Sequence, residues 1–289
     1  MQLRSFAVIG HPIGHTMSPF IHRRLFALSG YQPEYTVLDV PDLPAAMDTL
    51  RGMDGVNITI PHKSAIVPLL DAVDEKAALF GSVNTVKAEN GRLQGFTTDG
   101  IGCRKSLLRC GLDFGGRMLI LGRGGAARAI AFEIVLTCEA PCIDFACRGE
   151  SMEKAESLCA ELSGLCAKLE KPGRFRVLSY SALEAGSETY DLVLNTTSVG
   201  MYPKTGVSVV GETVLRRCKA AFDAVYNPGE TEFLRLAKAN GLCVVGGMGM
   251  LVCQAVAAHE IWYGASFKDA DIEQLIVDAE AETERVFRG

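Results

Sequence analysis

The stretch Arg117-Met-Leu-Ile-Leu-Gly-Arg-Gly-Gly-Ala-Ala-Arg128 decides how the chain reads. Met118 to Leu121 is an unbroken apolar run, the pattern of a parallel strand covered on both faces. Gly122, Gly124 and Ala127 follow at the spacing G-x-G-x-x-A, and the residues from Ala126 to Val135 read as the start of a helix. Strand, glycine turn and helix in that order are the context that a dinucleotide-binding fingerprint requires. The first glycine permits the tight turn, the second lets the backbone approach a pyrophosphate, and the small third residue lets the helix pack closely. Free N–H groups and the helix dipole then favour an anion at that end. Glycine-rich turns are common, so the weight rests on context: a strand before, a helix after, and a second strand, Cys142 to Cys147, at the right distance. A redox cofactor is the expectation.

Outward from this stretch, strand-like runs recur at Arg176–Ser179, Leu192–Asn195, Ala221–Val225 and Cys243–Val245, separated by helical segments or long loops. Such alternation indicates a doubly wound parallel sheet. Towards the N-terminus, Phe6–Ile9, Tyr35–Val40, Gly55–Pro61 and Ser82–Lys87 read as strands, and Gly91–Phe96 as a hairpin-like return. Ser18 before Pro19 reads as a helix N-cap after the polar turn His15-Thr-Met-Ser-Pro19. Leu43–Leu50 reads as a short helix, His62-Lys63 as a helix start, and Thr97–Gly100 as the cap of a helix to about Cys110. The end is helical only, Leu251–Tyr263 and Asp269–Phe287. The expected fold is α/β in two domains. Residues 1–100 with 248–289 form an N-terminal α/β substrate domain, the C-terminal helices packing back on it. Residues 101–247 form a Rossmann-type doubly wound parallel-sheet domain for a dinucleotide.

Composition agrees with this outline. A chain of 289 residues with 48% hydrophobic and 22% charged residues can bury a core in each half. A net charge of −5 without a basic stripe argues against a nucleic-acid partner, and no apolar run approaches membrane-spanning length. The N-terminus runs straight into strand residues, so no secretion signal is expected and a cytoplasmic location is. None of the ten cysteines forms a C-x-x-C pair, and Cys142, Cys147 and Cys243 lie in apolar runs. Buried free thiols are therefore expected, with no disulfide framework and no metal. The acidic run Asp278–Glu284 reads as a solvated helix face.

Polar residues punctuate the ends of successive strands. Lys63, Asn84 and Asp99 do so in the first part, Asn195-Thr-Thr-Ser198 and Gly246-Gly-Met-Gly249 in the second. Taken singly, Lys63 reads as a surface lysine, Asn84 as a turn residue and Asp99 as an N-cap. Taken together they fall where open α/β sheets place ligands, at the carboxyl ends of strands. Such loops suit a small polar ligand and the nicotinamide end of a cofactor, held in a cleft between the two domains.

Eight blocks now carry a resemblance. Gly10-His-Pro-Ile-Gly-His-Thr-Met-Ser-Pro19, Asn57-Ile-Thr-Ile-Pro-His-Lys63, Gly81-Ser-Val-Asn-Thr85 and Thr98-Asp-Gly100 stand in the first part. Gly122-Arg-Gly-Gly-Ala126, Asn195-Thr-Thr-Ser-Val-Gly-Met201, Tyr226-Asn-Pro228 and Gly247-Met-Gly-Met-Leu-Val-Cys-Gln254 follow. In this order they resemble the shikimate dehydrogenase family across nearly the whole chain. The resemblance implies reduction of the ring ketone of 3-dehydroshikimate to shikimate with NADPH, in aromatic amino-acid biosynthesis. It implies that Thr16 and Ser18 hold the substrate carboxylate, helped by Tyr226, and that Thr59, Asn84 and Gln254 bind ring hydroxyls. Lys63 and Asp99 would be the catalytic pair. Gly122, Arg123, Gly124, Gly125 and Ala126 would surround the pyrophosphate, and Arg148 would face the adenosine ribose. Ala224 and Gly247 would complete the cofactor set, Gly247 near the nicotinamide. A small-molecule substrate and a monomer or homodimer are expected.

The chemistry suits those residue types. Hydride delivery leaves negative charge on the ketone oxygen, which an ammonium stabilises and protonates. The oxidising direction needs a proton acceptor, so its rate is expected to rise with pH more steeply than the reverse. Two departures bear on the cofactor. The second strand ends Ala146-Cys147-Arg148-Gly149, where the family usually shows Asn-Arg-Thr. Arg148 suits the 2′-phosphate of NADP, whereas Glu150, in a loop longer than the usual NADP form, would favour the 2′-hydroxyl of NAD. Arg123 would add positive charge near the phosphates, although Arg123 and Glu150 read equally well as solvent-facing. NADP is favoured, with NAD possible. Thr16 keeps a hydroxyl but adds a methyl group to the commoner Ser, and Thr59 leans towards shikimate over quinate. The alternatives are a dual-specificity quinate/shikimate dehydrogenase, an amino-shikimate oxidoreductase, and a non-catalytic sensor. The last would be expected to lack Lys63 or Asp99, and both are present.

Overall fold

The computed structural model describes residues 5–14 and 16–287; His15 of the expected polar turn lies outside the described residues. The first part runs β1 (Ser5–Gly10), α1 (Ser18–Leu28), β2 (Glu34–Asp39), α2 (Leu43–Arg51), β3 (Gly55–Ile58) and α3 (His62–Ala65). It continues through β4 (Ala72–Val73), α4 (Glu75–Phe80), β5 (Thr85–Glu89), β6 (Arg92–Phe96) and α5 (Asp99–Arg109). The second part runs β7 (Arg117–Leu121), α6 (Gly125–Thr137), β8 (Cys142–Cys147), α7 (Met152–Lys168), β9 (Arg174–Ser179) and α8 (Tyr180–Ala185). After these come β10 (Tyr190–Asn195), α9 (Glu212–Leu215), β11 (Cys218–Asp223), α10 (Glu232–Ala239), β12 (Cys243–Val245), α11 (Gly247–Tyr263) and α12 (Asp269–Phe287).

The chain forms two compact units, Met1–Gly102 with Val252–Ala281 and Cys103–Leu251 with Glu282–Gly289. The expected limits at residues 100 and 247 thus move into α5 and α11, and the end of α12 groups with the second unit. A continuous helix hides such a limit, because its apolar periodicity runs through unchanged.

In the first unit a mixed sheet has the order β2-β1-β3-β5-β6-β4. β1 pairs in parallel with β2 and β3, while β5 runs antiparallel to β3 and β6. Ala7, Ile9, Val56, Ile58 and Val86 are buried with Leu43 and Leu50 of α2 in one core. Phe6, Val8, Phe26, Tyr35 and Trp262 form another. The Trp262 indole donates to the Val86 carbonyl at 2.9 Å and its ring lies 4.7 Å from Phe6, so α11 packs on this sheet as expected.

In the second unit six parallel strands take the order β12-β11-β10-β7-β8-β9. Two three-strand halves therefore meet at β7 and β10, which makes their carboxyl ends a topological switch point. Met118 to Leu121 are wholly buried, as an apolar run without alternation requires. β11 stops at Asp223 rather than Val225, because the Asp223 carboxylate accepts the Val225 N–H and turns the chain. All ten cysteines are free, but Cys110 and Cys243 are exposed and Cys138, Cys142 and Cys159 are half-buried, so the expectation of buried thiols fails for these five. β12 is an edge strand, and a strand edge leaves part of an apolar run uncovered.

Candidate active site

Backbone pairing in the first unit brings four polar side chains together. The Val83 N–H donates to the Lys63 carbonyl at 2.8 Å, tying α3 to the segment before β5. The Asn84 N–H donates to the Phe96 carbonyl at 3.0 Å, which aligns Asn84 with the start of α5. Lys63 Nζ then donates to Asp99 Oδ2 at 2.6 Å. Asn84 Nδ2 lies 2.8 Å from Asp99 Oδ1, 2.9 Å from Thr98 Oγ1 and 3.1 Å from Gln254 Oε1, so its two hydrogens serve three acceptors. Asn84 Oδ1 accepts the Thr98 N–H at 2.7 Å, which fixes the amide's orientation. The Asp99 side chain is 5% exposed and that of Lys63 25%. The carboxylate is thus enclosed with both oxygens occupied, while the ammonium keeps two further donors and a path to ligand.

In the same unit the Thr16 hydroxyl donates to Ser18 Oγ at 3.1 Å and accepts the Ser18 N–H at 3.2 Å. Ser18 is therefore not the N-cap expected of it. Met17 occupies that position with helical backbone angles and no side-chain cap, and Ser18 is the first residue of α1. Its hydroxyl is left free of capping and turns to other partners. Thr59 follows β3, where its N–H donates to the Ile9 carbonyl at 2.9 Å. Lys63, Asp99, Asn84, Gln254, Thr16, Ser18 and Thr59 all belong to this unit, whereas Tyr226 belongs to the second, in the loop after β11.

The second unit presents a cavity of about 650 Å³ lined by Gly122, Arg123, Arg148, Ser151, Tyr180 and Lys204 among others. Gly122 has φ +100°, and a Cβ there would meet Thr197 Cγ2 at 2.8 Å, so only glycine makes this turn. Gly124 precedes α6 with no side-chain cap, and a Cβ on Gly124 or Gly125 would meet nothing within 4 Å. Uncapped N–H groups facing open space fit a pyrophosphate. Arg123 and Arg148 line the cavity, whereas the exposed Glu150, in the short 3₁₀ turn before α7, does not. Gly247 is not in a loop as expected but opens α11. A Cβ there would come within 2.6 Å of the Ala224 carbonyl oxygen, so its glycine serves the close approach of helix to loop. Lys204 and Tyr180 also line the cavity; neither was singled out from the sequence, although Tyr180 directly follows β9 and its strand-end position could have marked it.

Fold and site together define a nicotinamide-dependent oxidoreductase of Rossmann type, with a separate α/β unit for its substrate. Residues 8–86 match the family model described as the shikimate dehydrogenase substrate binding domain. The NADP(+) shikimate dehydrogenase of Moorella thermoacetica is 40% identical over 94% of this chain and 92% of its own length. That of Geobacillus kaustophilus is 39% identical over 95% and 98%. Among solved structures, Thermus thermophilus shikimate 5-dehydrogenase in complex with NADP(H) and shikimate superposes with a TM-score of 0.82. It is 32% identical and covers 96% of this chain and 100% of its own. The chain belongs to the shikimate dehydrogenase family.

Proposed function

We propose that this protein catalyses the reversible NADPH-dependent reduction of 3-dehydroshikimate to shikimate. The observation that carries the reading is the Lys63–Asp99–Asn84–Gln254 cluster, assembled on the unit whose sequence matches the substrate-binding domain. When bound, the dihydronicotinamide supplies the hydride. Lys63 stabilises the charge that develops on the ketone oxygen and delivers a proton to it through one of its remaining N–H bonds. In the opposite direction Lys63 accepts that proton from the hydroxyl. Asp99 holds the amine in place and compensates its charge, and Asn84 holds Asp99 from the other side. Gln254, Asn84 and Thr59 bind ring hydroxyls, and Thr16 and Ser18 bind the carboxylate, aided by Tyr226. In the second unit the turn Gly122 to Ala126 holds the pyrophosphate, Arg148 and Arg123 supply positive charge, and Ala224 and Gly247 border the nicotinamide.

Substrate and cofactor are tested together by following NADPH or NADH absorbance with shikimate and quinate against NADP⁺ and NAD⁺. The pair shikimate and NADP⁺ is expected to give the highest kcat/KM. Quinate with NAD⁺ turning over as fast would replace this reading with the dual-specificity one, and no turnover of shikimate with either cofactor would dismiss it.

A further inference from the structure

In the second unit arginines are commonly held by acids. Arg104 pairs with Asp113, Arg117 and Arg176 share Asp144, and Arg128 pairs with Glu161. Arg123 and Arg148 differ: both line the cavity beside Gly122, and neither side chain has a hydrogen-bond or ion-pair partner among the described residues. Lys204 joins them in that lining and is equally unpaired. The lining holds no aspartate or glutamate among the described residues. Three like charges around one cavity without an acid repel one another, and a polyanionic ligand relieves that repulsion.

Lys204 arrives from a wall of its own. Arg123 stands in the turn after β7 and Arg148 just after β8, the neighbour of β7 in the sheet. Lys204 belongs to the loop between β10 and α9, and β10 flanks β7 on the other side. This loop is closed on itself. Gly200 has φ +88°, and a Cβ there would come within 3.0 Å of the Val207 carbonyl oxygen, so the two limbs meet at these residues. Between them the Lys204 N–H donates to the Met201 carbonyl at 2.9 Å, and the Tyr202 N–H to the Asn227 carbonyl at 2.9 Å. The backbone that carries the ammonium is thereby pinned.

The rest of the lining tells which phosphate it meets. Cys147, Arg148, Ser151 and Tyr180 come from the carboxyl ends of β8 and β9 and the segments just after, the half of the sheet that takes the adenosine of a dinucleotide. Ala224 and Gly247, which follow β11 and β12, are not among the lining residues. Arg123 lies in the glycine turn, where a pyrophosphate belongs, and Arg148 where a 2′-phosphate belongs. A phosphate monoester carries about −1.5 to −2 charges near neutral pH, more than one guanidinium neutralises. We propose that Lys204 is the second cation of the 2′-phosphate subsite, facing Arg148 from the β10 side, and so a determinant of NADP over NAD. The inference rests on the proposed function and adds a residue to its cofactor site. A compact ammonium on a flexible stem suits the part, since it meets a phosphate as a point charge and needs no fixed fork geometry.

Calorimetric titration of the full-length protein with 2′,5′-ADP and with 5′-AMP isolates this role, because neither probe can be turned over. Lys204 is exposed and unpaired, so its replacement leaves the fold intact. Lys204→Gln is expected to weaken 2′,5′-ADP roughly tenfold, the scale of one charge-assisted hydrogen bond, and 5′-AMP by less than about twofold. Lys204→Arg, which keeps the charge, should restore most of the lost affinity. Added salt should weaken 2′,5′-ADP less steeply in Lys204→Gln than in wild type, with one ion pair fewer to screen. An unchanged 2′,5′-ADP affinity in Lys204→Gln overturns the proposal. So does an equal loss with both probes, which would place the ammonium at the 5′-phosphate instead. Wild type binding 2′,5′-ADP no more tightly than 5′-AMP would strike the NADP preference of the proposed function itself and take this inference with it.

Discussion

Two buried carboxylates, one in each unit, show how differently the same group is used. Asp99 in the first unit accepts from an ammonium and an amide, Lys63 and Asn84, and the ammonium remains partly accessible. Asp223 in the second unit is wholly buried and accepts from Asn195 at 2.9 Å, Thr231 at 2.6 Å and the Val225 N–H at 3.0 Å. No cation faces it among the described residues, and burial pushes its pKa up to about 6, the three hydrogen bonds opposing. The carboxylate beside a reaction keeps a charged partner that can give and take protons. The carboxylate that shapes a loop is held by neutral donors, and its charge is a cost. Asp223 ties the ends of β10 and β11 together, and so sets the loops that begin at Thr196 and at Ala224.

Substitutions should separate these two uses. The largest effect is expected from Lys63→Ala, with kcat falling by roughly 10²–10⁴ while the KM for shikimate changes much less. Steady-state NADPH absorbance checks it; near-normal turnover would remove Lys63 from the chemistry.

Next in size is a stability effect at Asp223. Its folded pKa lies above the ordinary 3.8, so between about pH 4 and 6 the folded state keeps a proton that the unfolded state has released. Stability from this group is therefore fully present below 3.8 and is lost as pH rises through about 6, by up to roughly 3 kcal/mol. His22 and His259 act in the opposite sense in the same window, because burial keeps both neutral and acid favours the unfolded chain. The measurable quantity is thus a difference. Urea midpoints of wild type should fall relative to Asp223→Asn as pH rises from 4 to 7; parallel curves would mean that Asp223 carries no such cost.

A smaller change is expected at the cofactor cavity. Arg148→Ala should raise the KM for NADP⁺ roughly tenfold or more, the scale of a lost charge-assisted hydrogen bond, and leave that for NAD⁺ nearly unchanged. Equal losses with both cofactors would place the guanidinium away from a 2′-phosphate. The smallest effect belongs to Glu150, which is exposed and does not line the cavity. Glu150→Gln should shift the NADP⁺ KM by less than about twofold, and a larger gain would restore it as an acid that opposes the phosphate.

The fold was legible where its causes are local. A both-faces-buried strand must be an unbroken apolar run, and a turn at φ +100° with a neighbour 2.8 Å from the missing Cβ must be glycine, so Met118 to Gly122 declare themselves. Ser18 before Pro19 misled, because its pattern equally fits a cap and a first helical residue, and only the backbone angles of Met17 separate them. Cys243 misled because an apolar run does not reveal that its strand lies at a sheet edge.

What the amino-acid order determined by itself, then, is the sequence of strands and helices, the glycine turn, and the residue types available for hydride chemistry and anion binding. Those follow from backbone sterics and from the period of apolar side chains, both properties of near neighbours in the chain. Tertiary structure alone decided that Lys63 meets Asp99 across 36 positions, that Asn84 reaches Gln254 across 170, and that Tyr35 bonds Asn57 across 22. A hydrogen bond acts over about 3 Å and is sharply directional, and no local pattern records which distant atoms the folded sheet will bring within that reach.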